Sequence, residues 1–300
     1  MTQLTNARQT TAPLAKVRKT ERSIAALVQR MLVSTFFHVI MLCLALVFLL
    51  PLLWMLSASL KTEGELMTLP PTIFPKVPQW GNYLYLVQTP IIVRMFFNSV
   101  KLALYNVVGL LFVTSLAAYA FARIRFIGKD LAFSILLSTA MIPGIVYLIP
   151  QYIIFRDLGW LDTHYPLWVP RVLTPVYATF LMRQFFKTMP QELEDAAKMD
   201  GCTLWGIYWR IMLPQVKPAL AAVGVFTFLD SWNDLFGPLI FITSIRLQTL
   251  PVGLALFQGE YFTQVSLLMA ASTVSIIPVL LVYISAQKYF VQGITLTGIK

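Results

Sequence analysis

The sequence predicts an all-α membrane protein, and three observations support that fold class. First, 58% of the 300 residues are hydrophobic, only 12% are charged, and the mean hydropathy is +0.72. Soluble domains carry about 25% charged residues, so much of this surface must face lipid. Second, apolar segments of the length that crosses a bilayer, about 20 residues, recur along the chain. Third, basic residues are concentrated in alternate connections between those segments.

Six segments are predicted to span the membrane. They cover residues 34–58, 97–122, 131–155, 165–186, 218–242 and 263–287. The first follows a flank that is too long for an ordinary signal peptide, which favours a membrane anchor. The third and fourth contain prolines, which helices in lipid tolerate when neighbours satisfy the freed backbone groups. Residues 61–93 are rich in proline and are predicted to form an irregular extracytoplasmic loop.

The basic residues predict the orientation. With the N-terminus inside, 16 of the 23 Lys and Arg residues fall on the inner side and 7 on the outer side. Since positive charge is retained in the cytoplasm, both termini are predicted to be cytoplasmic. The same division gives a cytoplasmic tail of residues 1–33, a membrane domain of residues 34–290 and a second cytoplasmic tail of residues 291–300.

Several classes of function find no support in the composition. A net charge of +10 would suggest nucleic acid in a soluble protein, but here it is accounted for by the orientation of the membrane segments. Cys43 and Cys202 have no metal-like spacing and are interpreted as free thiols, and His38 and His164 form no metal motif. The sequence contains no P-loop of the form GxxxxGK[ST] and no catalytic triad, so we expect no catalytic residues, metal site or cofactor on this chain.

The connection between the fourth and fifth segments, residues 190–214, is hydrophilic and begins with the signals of a short helix. Pro190 suits the first turn, because its missing N–H is not needed there. Glu192, Glu194 and Asp195 would then lie near the positive end of the helix dipole. This arrangement predicts a helix with an acidic first turn.

A second short helix is predicted directly after it. Gly201 can adopt the left-handed conformation that ends a helix, Thr203 can cap the next one, and Pro214 would close it. One apolar stripe of this helix would contain Leu204, Ile207, Tyr208 and Ile211. Such a unit could dock into a groove on another protein, but local physics alone favours an amphipathic loop that rests on the bundle.

The order of residues in this connection resembles a cytoplasmic motif of the permeases of ATP-binding-cassette (ABC) importers. That motif reads Glu-Ala-Ala, three variable residues and Gly, followed further on by Ile-x-Leu-Pro. Residues 195–201 read Asp-Ala-Ala-Lys-Met-Asp-Gly, and residues 211–214 read Ile-Met-Leu-Pro. Asp195 departs from the usual Glu, which keeps the charge but shortens the side chain by one methylene. In that family the connection forms a coupling helix that sits in a cleft of the ATPase subunit. The resemblance therefore implies contact with an ATPase through Glu194, Asp195, Ala196, Ala197, Asp200 and Gly201.

Further motifs extend the resemblance from Val47 to the C-terminus, and they are similar to the carbohydrate branch, in particular to the second permease subunit of maltose-type importers. They are Phe97-Asn98-Ser99, residues 117–123, residues 149–152 with Leu158-Gly159, Trp232-Asn233-Asp234, and residues 289–294. The resemblance implies a type I importer permease fold with six transmembrane helices, in a bacterial or archaeal plasma membrane. It also implies partners: a second homologous permease, two ATPase subunits that bind ATP and Mg, and an extracytoplasmic binding protein that the loop of residues 243–262 would reach.

Polar residues inside the fifth segment are candidates for the substrate path. Asp230, Asn233 and Asp234 fall within one helical turn, and ionisable groups at membrane depth usually face a cavity or pair with each other. Sugars require hydrogen-bonding carboxylates and amides together with aromatic faces, which Trp232 and Phe236 could supply. A structural polar cluster that ties this segment to a neighbour explains the same residues equally well.

Arg171 is the remaining charged residue in a predicted span. It could attract an anionic group of the substrate or pair with an internal Asp. Its position near a helix end instead favours a side chain that extends to the outer interface.

The sequence leaves two classes of transporter open. The leading interpretation is an importer subunit that carries a sugar or a sugar-like solute. The alternative is a stand-alone ion-coupled carrier in which Asp230 and Asp234 would bind the ion, although such carriers usually contain internal repeats that are not evident here. A membrane enzyme is a third class, but the catalytic residues that it would need are absent.

Overall fold

The computed structural model describes residues 14–257 and 264–297 of the chain, with side chains for residues 27–257 and 264–289. In these residues the chain is helical and forms no strand. The α-helices are α1 (Leu14–Ser59), α2 (Glu63–Leu66), α3 (Gly81–Gln88), α4 (Pro90–Arg123), α5 (Lys129–Thr139), α6 (Leu148–Asp157), α7 (Tyr165–Leu173), α8 (Val176–Lys187), α9 (Glu192–Met199), α10 (Leu204–Ile207), α11 (Leu213–Gln215), α12 (Lys217–Trp232), α13 (Phe236–Phe241), α14 (Leu250–Leu256) and α15 (Val265–Thr297). Short 3-10 turns cover Gly144–Tyr147 and Ile245–Leu247, and a π-turn covers Tyr208–Met212.

The chain divides into two compact units, residues 1–55 and residues 56–300. The described part of the first unit is most of α1, whose side chains from residue 27 to residue 50 are exposed on every face. A helix that is apolar all round is typical of a membrane span. The stretch Leu27–Ser59 is long and apolar enough to cross a bilayer by itself.

The second unit is built around α4. This helix packs against α12, α8 and α7 along its length, and the short helices α3 and α14 also contact it. Its buried residues recur every three or four positions, as expected for the inner face of a helix. They are Met95, Asn98, Ser99, Leu102, Ala103, Asn106, Leu110, Thr114, Ser115, Ala118 and Tyr119.

Small residues bring these helices close together. A Cβ atom added to Gly109 of α4 would lie 2.8 Å from a methyl carbon of Val172 on α7. A side chain at this position would therefore push the two helices apart. Close packing of small residues is a principal source of helix association in lipid, where the hydrophobic effect does not operate between helices.

The predicted spans correspond to helices of two kinds, single and broken. Three single helices could cross a membrane by length and composition, namely Leu27–Ser59, Pro90–Arg123 and Val265–Tyr289. The third predicted span consists of α5 and α6 with an 88° bend at the break between them. The fourth consists of α7 and α8, and the fifth of α12 and α13. The architecture is thus consistent with the predicted six spans, although three of those spans are broken helices.

Prolines cause two of these breaks. Pro143 has an extended backbone with ψ 137°, and Pro175 lies between α7 and α8 with ψ 65°. Proline cannot donate a helical hydrogen bond, and it disfavours the helical conformation in the residue before it. At both positions the spans are therefore accommodated as broken helices and not as single continuous ones.

The predicted tails are also partly helical. Helix α1 begins at Leu14, well before the predicted start of the first span, and α15 continues to Thr297. The loop predicted at residues 61–93 contains the short helices α2 and α3, and its last four residues begin α4. Part of the predicted outer loop, residues 258–263, lies outside the described residues.

Candidate functional site

The predicted acidic helix forms as α9, Glu192–Met199. Its first turn contains Glu192, Glu194 and Asp195, and Lys198 lies in its last turn. Acidic groups at the positive end of a helix dipole and a basic group at the negative end both stabilise it. The local charges therefore explain why this short segment is helical.

Two consecutive acidic residues on α9 have opposite environments. The Glu194 side chain is 6% exposed, and one of its carboxylate oxygens lies 3.4 Å from Nε of Arg123. The Asp195 side chain is 59% exposed and pairs with Lys198 at 3.2 Å, one turn along the helix. Neighbouring positions on a helix point about 100° apart, so one carboxylate faces the bundle and the other faces outward.

Arg123 connects α9 to the ends of two longer helices, α4 and α8. Its guanidinium donates to the backbone carbonyls of Phe186, near the end of α8, and of Met189, just after it, and it also approaches Glu194. Glu194 was predicted to contact a partner, but its carboxylate is directed into the chain. Glu194 is therefore an internal anchor of α9 in this structure. Its pairing was not predicted, because Arg123 lies far away in the sequence.

The outward face of α9 is available for contact. Asp195, Ala196 and Asp200 are exposed, and Met199 is 88% exposed. Ala197 is 4% exposed and packs in the core, so it supports the helix from within. The predicted contact set thus separates into exposed residues and buried supports.

Gly201 produces the sharp turn between α9 and α10. Its φ is +77°, in the left-handed region, and a Cβ atom added there would meet no atom within 4 Å. Glycine is therefore favoured here by the left-handed backbone conformation, and not by a lack of room for a side chain. Thr203 caps α10 by accepting a hydrogen bond from the N–H of Gly206 at 3.2 Å, as predicted.

The second helix continues past the expected stop at Pro214. The N–H of Leu213 donates to the carbonyl of Tyr208 across a π-turn, and α11 extends to Gln215. A π-turn just before a proline accommodates the missing donor without ending the helix. Of the apolar stripe predicted for this helix, Leu204 is 53% exposed, whereas Ile207 and Tyr208 are buried. The buried face consists of Ile207, Tyr208 and Met212.

Tyr208 ties this helix to α4. Its hydroxyl lies 2.7 Å from Oγ of Ser115, in a buried hydrogen bond. Burial raises the pKa of Tyr208, and the hydrogen bond with Ser115 opposes that shift only in part. The hydroxyl therefore stays neutral at physiological pH. We call residues 190–214 the docking segment, after the role predicted for them. The Tyr208–Ser115 hydrogen bond and the Arg123–Glu194 pair both fix this segment to α4.

A second site is a cavity of about 1030 Å³ between the broken helices. Its lining comes from the α5–α6 break, from α7 and α8, and from α12 and α13. Polar and aromatic groups in it include Tyr147, Gln151, Thr174, Tyr177 and Phe226. None of these residues was predicted from the sequence. The prolines at two of the helix breaks, Pro143 and Pro175, are among its lining residues.

Three charged residues converge on this cavity. One guanidinium nitrogen of Arg171 lies 3.2 Å from a carboxylate oxygen of Asp230 and 3.4 Å from one of Asp234. The side chains of Arg171 and Asp234 are 25% and 22% exposed, whereas Asp230 is 69% exposed. Arg171 was expected to extend to the outer interface, but it pairs with internal carboxylates instead. This cluster is the only charged part of the described cavity lining, and its net charge is −1.

Asp234 has a structural role as well. Helix α12 ends at Trp232, and the other oxygen of Asp234 accepts a hydrogen bond from the N–H of Gly237 at 3.0 Å, in the first turn of α13. The prediction that Asp230 and Asp234 lie on one helical turn is therefore wrong. They lie on either side of a helix break, and both face Arg171.

Trp232 does not line the cavity. It is 3% exposed, stacks on Phe228, meets the edge of Phe96 and donates from Nε1 to the carbonyl of Ser275 at 3.1 Å. The prediction that it contacts substrate was therefore wrong for this structure, and it is a core residue that joins α12 to α15. Asn233 is exposed at the break and is not among the cavity residues.

The segment after α13 is fixed to the bundle at several points. Asn98 on α4 donates to the carbonyls of Arg246 and Gln248 at 3.0 and 2.9 Å, and Ser99 accepts from the N–H of Leu250 at 2.9 Å. These contacts give the Phe97-Asn98-Ser99 motif a physical role. The first half of the loop predicted at residues 243–262 is therefore held against α4.

Asp162 holds the same segment from the other side. Its carboxylate accepts hydrogen bonds from the N–H groups of Ser244 and Thr243 at 2.7 and 3.1 Å, and its own N–H donates to the carbonyl of Phe241. The bond from Ser244, together with that from Thr243, holds the pKa of Asp162 below its usual value. Asp162 has a φ of 58°, which aspartate tolerates better than most residues.

No cluster of metal ligands occurs among the residues whose side chains are described. His164 makes a 2.8 Å contact with the carbonyl of Leu247, and burial lowers its pKa despite that hydrogen bond. It therefore belongs to the same set of contacts at this end of the bundle. Cys43 and Cys202 are free thiols.

Comparison of the sequence with known proteins identifies the family of this chain. Residues 111–296 match the family described as binding-protein-dependent transport system inner membrane component. The chain belongs to this family. It is 36% identical to the arabinooligosaccharides transport system permease protein AraQ of Bacillus subtilis, over 86% of this chain and 92% of that protein. It is 34% identical to the sulfoquinovosyl glycerol transport system permease protein SmoH of Agrobacterium fabrum, over 84% and 89% of the two chains.

The fold of the permease is found in a solved transporter. A chain of a bacterial ABC transporter involved in the import of the acidic polysaccharide alginate aligns with a TM-score of 0.71 and 23% identity, covering 90% of this chain and 98% of that one. A second structure, the alginate ABC transporter in complex with an alginate pentasaccharide-bound periplasmic protein, aligns with a TM-score of 0.54 and 16% identity, covering 84% and 92%. The fold class predicted from the sequence is thereby confirmed, as is the resemblance to sugar permeases of ABC importers.

The permease is a multi-pass inner-membrane protein of a transport family and not a member of an enzyme family. Its structure brings Arg171, Asp230 and Asp234 together as candidate substrate-path residues, and it removes Trp232 from that group. Arg123 was not singled out, although the motif of residues 117–123 ends on it. That motif was the available signal that this arginine has a specific role.

Proposed function

We propose that the permease pairs with a second, related permease and with two ATPase subunits, and that ATP and Mg bind on those ATPases. An extracytoplasmic binding protein would deliver a sugar, and the cavity around Arg171 would form this chain's share of the path. The family description and the sugar permeases among its relatives support the assignment. The absence of a P-loop from the sequence supports placing the motor on another chain.

The observation that carries the proposal is that the two sides of α9 differ: one is fixed to the bundle and the other is exposed. The inner side of the helix is fixed by Glu194 and Ala197, and the outer side presents Asp195 and Met199 without covering groups. A helix that is rigidly tied to the longest buried helix, and exposed on its other side, can transmit a movement of a bound partner to the bundle. An amphipathic loop resting on the bundle, the alternative from local physics, would leave no such exposed acidic face.

Co-purification tests the proposal. A tagged permease isolated from its own membranes should bring an ATPase with it, and Asp195→Lys should weaken that association while the chain stays folded. The matched control is Asp157→Lys, which reverses a carboxylate of similar exposure, 62%, on the side predicted to face outward. Loss of the ATPase in both variants, or in neither, would contradict the role of α9.

The charge of the cavity supports an uncharged sugar as the solute. Arg171 is neutralised by Asp230 and Asp234, so it has no charge left for an anionic group. The remaining polar residues, which include Gln151 and Tyr177, suit hydroxyl groups, and aromatic rings suit the apolar faces of sugars. An arabinooligosaccharide, as in the name of the AraQ relative, has this chemistry.

The ion-coupled carrier is less well supported. Its proposed ion sites were Asp230 and Asp234, and both carboxylates are within 3.4 Å of the Arg171 guanidinium. A cation bound there would have to displace or tolerate that fixed positive charge, which is unfavourable at such distances. The pairing therefore favours the importer over the carrier.

The orientation with both termini in the cytoplasm is part of the proposal. Asp130 is exposed at the start of α5, so a cysteine there is accessible. In a background without Cys43 and Cys202, Asp130→Cys should react with an impermeant thiol reagent only from the cytoplasmic side. Reaction in intact cells from outside would overturn the orientation.

A further inference from the structure

A polar cavity of about 670 Å³ lies beside the docking segment. It is formed where α4 and α8 end and where α5 and α9 begin. Five basic side chains and two carboxylates line it: Arg123, Arg125, Lys129, Lys187, Lys198, Glu194 and Asp195. The lining therefore carries a net charge of +3.

Three of these cations lack an acidic partner. The two carboxylates are engaged with Arg123 and Lys198. Among the described residues, no carboxylate lies within ion-pair distance of Arg125, Lys129 or Lys187. The Lys129 ammonium donates to the carbonyls of Ala122 and Ile124, which holds it at the cavity but does not neutralise it. The site is thus positively charged, and no carboxylate in the described part of the chain forms an ion pair with these three cations.

The cations of this cavity suit an oxygen-rich ligand. Tyr119 also borders the cavity, but its side chain is buried, 4% exposed, so the donors that a ligand can reach are the ammonium and guanidinium groups. An oxygen-rich anion would accept hydrogen bonds from several of these groups at once.

Apolar side chains stand next to the cations. Between Arg125 and Lys129 the chain exposes Phe126 and Ile127, and the adjoining turn of α5 exposes Leu131. Ile127 is exposed over its whole side chain. A small soluble anion would make no favourable contact with these apolar side chains, whereas a lipid presents a phosphate and an acyl chain side by side.

We propose that this cavity binds the phosphate of an anionic lipid of the cytoplasmic leaflet, with the acyl chain against Ile127 and Leu131. The proposal rests on the orientation proposed above, which places the cavity on the inner side. Basic pockets between helices at the cytoplasmic face are suited to anionic headgroups, and the inner leaflet supplies them. The lipid would occupy the junction of α4 and the docking segment, where it could influence how firmly α9 is held.

The test measures lipid binding to the full-length permease purified with its partners, in detergent, by the rise in Tm or by native mass spectrometry. The probes are dioctanoyl phosphatidylglycerol, dioctanoyl phosphatidylcholine and inorganic phosphate. The double variant Lys129→Gln/Lys187→Gln removes two cations and keeps side chains that can donate hydrogen bonds. The control Lys217→Gln/Lys288→Gln removes two exposed lysines from elsewhere on the same predicted side.

The wild type should bind phosphatidylglycerol about tenfold more tightly than phosphatidylcholine, because only phosphatidylglycerol carries a net negative charge. The double variant should bind it about 25-fold more weakly, because each cation near an anionic headgroup contributes about fivefold. The control should change affinity by less than about threefold. Ile127→Ser leaves every charge in place, and it should weaken phosphatidylglycerol binding without changing the affinity for inorganic phosphate. This second variant keeps the proposal testable if the lysine variant misfolds.

Three results would overturn the proposal. Equal affinity for the two lipids, or an equal loss in the control variant, would show that binding is not specific to this cavity. Phosphate binding as tight as that of phosphatidylglycerol would identify a site for a free anion. Exclusion of the lipid by the assembled ATPase would assign the cavity to an acidic segment of that partner. In each case the ATPase co-purification can still succeed, so a failure here is distinct from failure of the proposed function.

Discussion

Glu194 and Asp195 are adjacent, both acidic and both paired, yet the structure predicts opposite consequences for their loss. Glu194→Ala removes one half of a buried pair, in which the Arg123 and Glu194 side chains are 10% and 6% exposed. Asp195→Ala removes one half of an exposed pair with Lys198, in which the Asp195 and Lys198 side chains are 59% and 48% exposed. The first change should destabilise the chain, and the second should weaken only the association with the ATPase.

The magnitudes follow from burial and from the remaining partners. Breaking a buried ion pair from one side costs about 3–5 kcal/mol, because the other charge is left unpaired. Arg123 keeps the carbonyls of Phe186 and Met189 as acceptors, so we expect the lower end, about 3 kcal/mol. Glu194→Gln retains an amide oxygen for Arg123 and should cost about 1–2 kcal/mol. Asp195→Ala should cost about 0–0.5 kcal/mol, as exposed pairs within a helix usually do.

The assay has two readouts. Thermal unfolding of each purified variant measures stability, and a loss of about 3 kcal/mol should lower Tm by about 6–12 °C. Recovery of the ATPase with the tagged permease, measured at a temperature at which all variants are folded, gives the association. Two results would refute these assignments: a loss of Tm in Asp195→Ala as large as that in Glu194→Ala, or release of the ATPase by Glu194→Gln while Tm is unchanged.

Three further predictions concern the turn, the cavity and the outer segment. Gly201→Val should lower folding stability by about 1–2 kcal/mol and release the ATPase, because the φ of +77° at this position disfavours a branched side chain. The control Gly206→Ala, at a helical glycine with room for a methyl group, should keep the ATPase bound. Asp230→Asn should raise uptake of an anionic oligosaccharide relative to a neutral one by about fivefold, since the cavity lining becomes neutral, and an unchanged ratio in reconstituted vesicles would count against the cavity as the path. Asp162→Ala should speed hydrogen exchange of the Thr243 and Ser244 amides several-fold at neutral pH. Because the pKa of Asp162 is lowered in the folded protein, its carboxylate stabilises this segment above the ordinary pKa near 4. That stabilisation is lost as the pH falls through the lower folded value. Equal exchange in the wild type and the variant at pH 7 would exclude the anchoring role.

Local features of this permease were predictable from its sequence. The acidic first turn of α9, the left-handed Gly201 and the Thr203 cap depend on a few neighbouring residues, and all three are present. The long apolar helices α1, α4 and α15 were also predictable, because length and hydropathy determine them. All of these features depend only on residues that lie close together in the sequence.

The remaining features depend on distant partners. Glu194 has the pattern of an exposed acid until Arg123 is placed beside it, and four helices separate the two along the chain. Trp232 lies about 200° around α12 from Asp230, so once packing turns Asp230 to the cavity, Trp232 faces the opposite side and packs on Phe96 and Phe228. Arg171 was assigned to the interface because it lies near a helix end, whereas its partners Asp230 and Asp234 are about 60 residues away in the sequence. Tertiary packing decides each of these cases.

The central claim is that the exposed face of α9 contacts the ATPase, and cross-linking tests it most directly. In a background without Cys43 and Cys202, Met199→Cys places a thiol at a position that is 88% exposed on α9. Leu256→Cys, at a position that is 60% exposed in the segment predicted to face outward, is the control. In the assembled complex, a short thiol cross-linker should join Met199→Cys to the ATPase subunit and leave Leu256→Cys unlinked to it. A complex that still hydrolyses ATP but shows no link from Met199→Cys, or one that links the ATPase to Leu256→Cys, would contradict this claim.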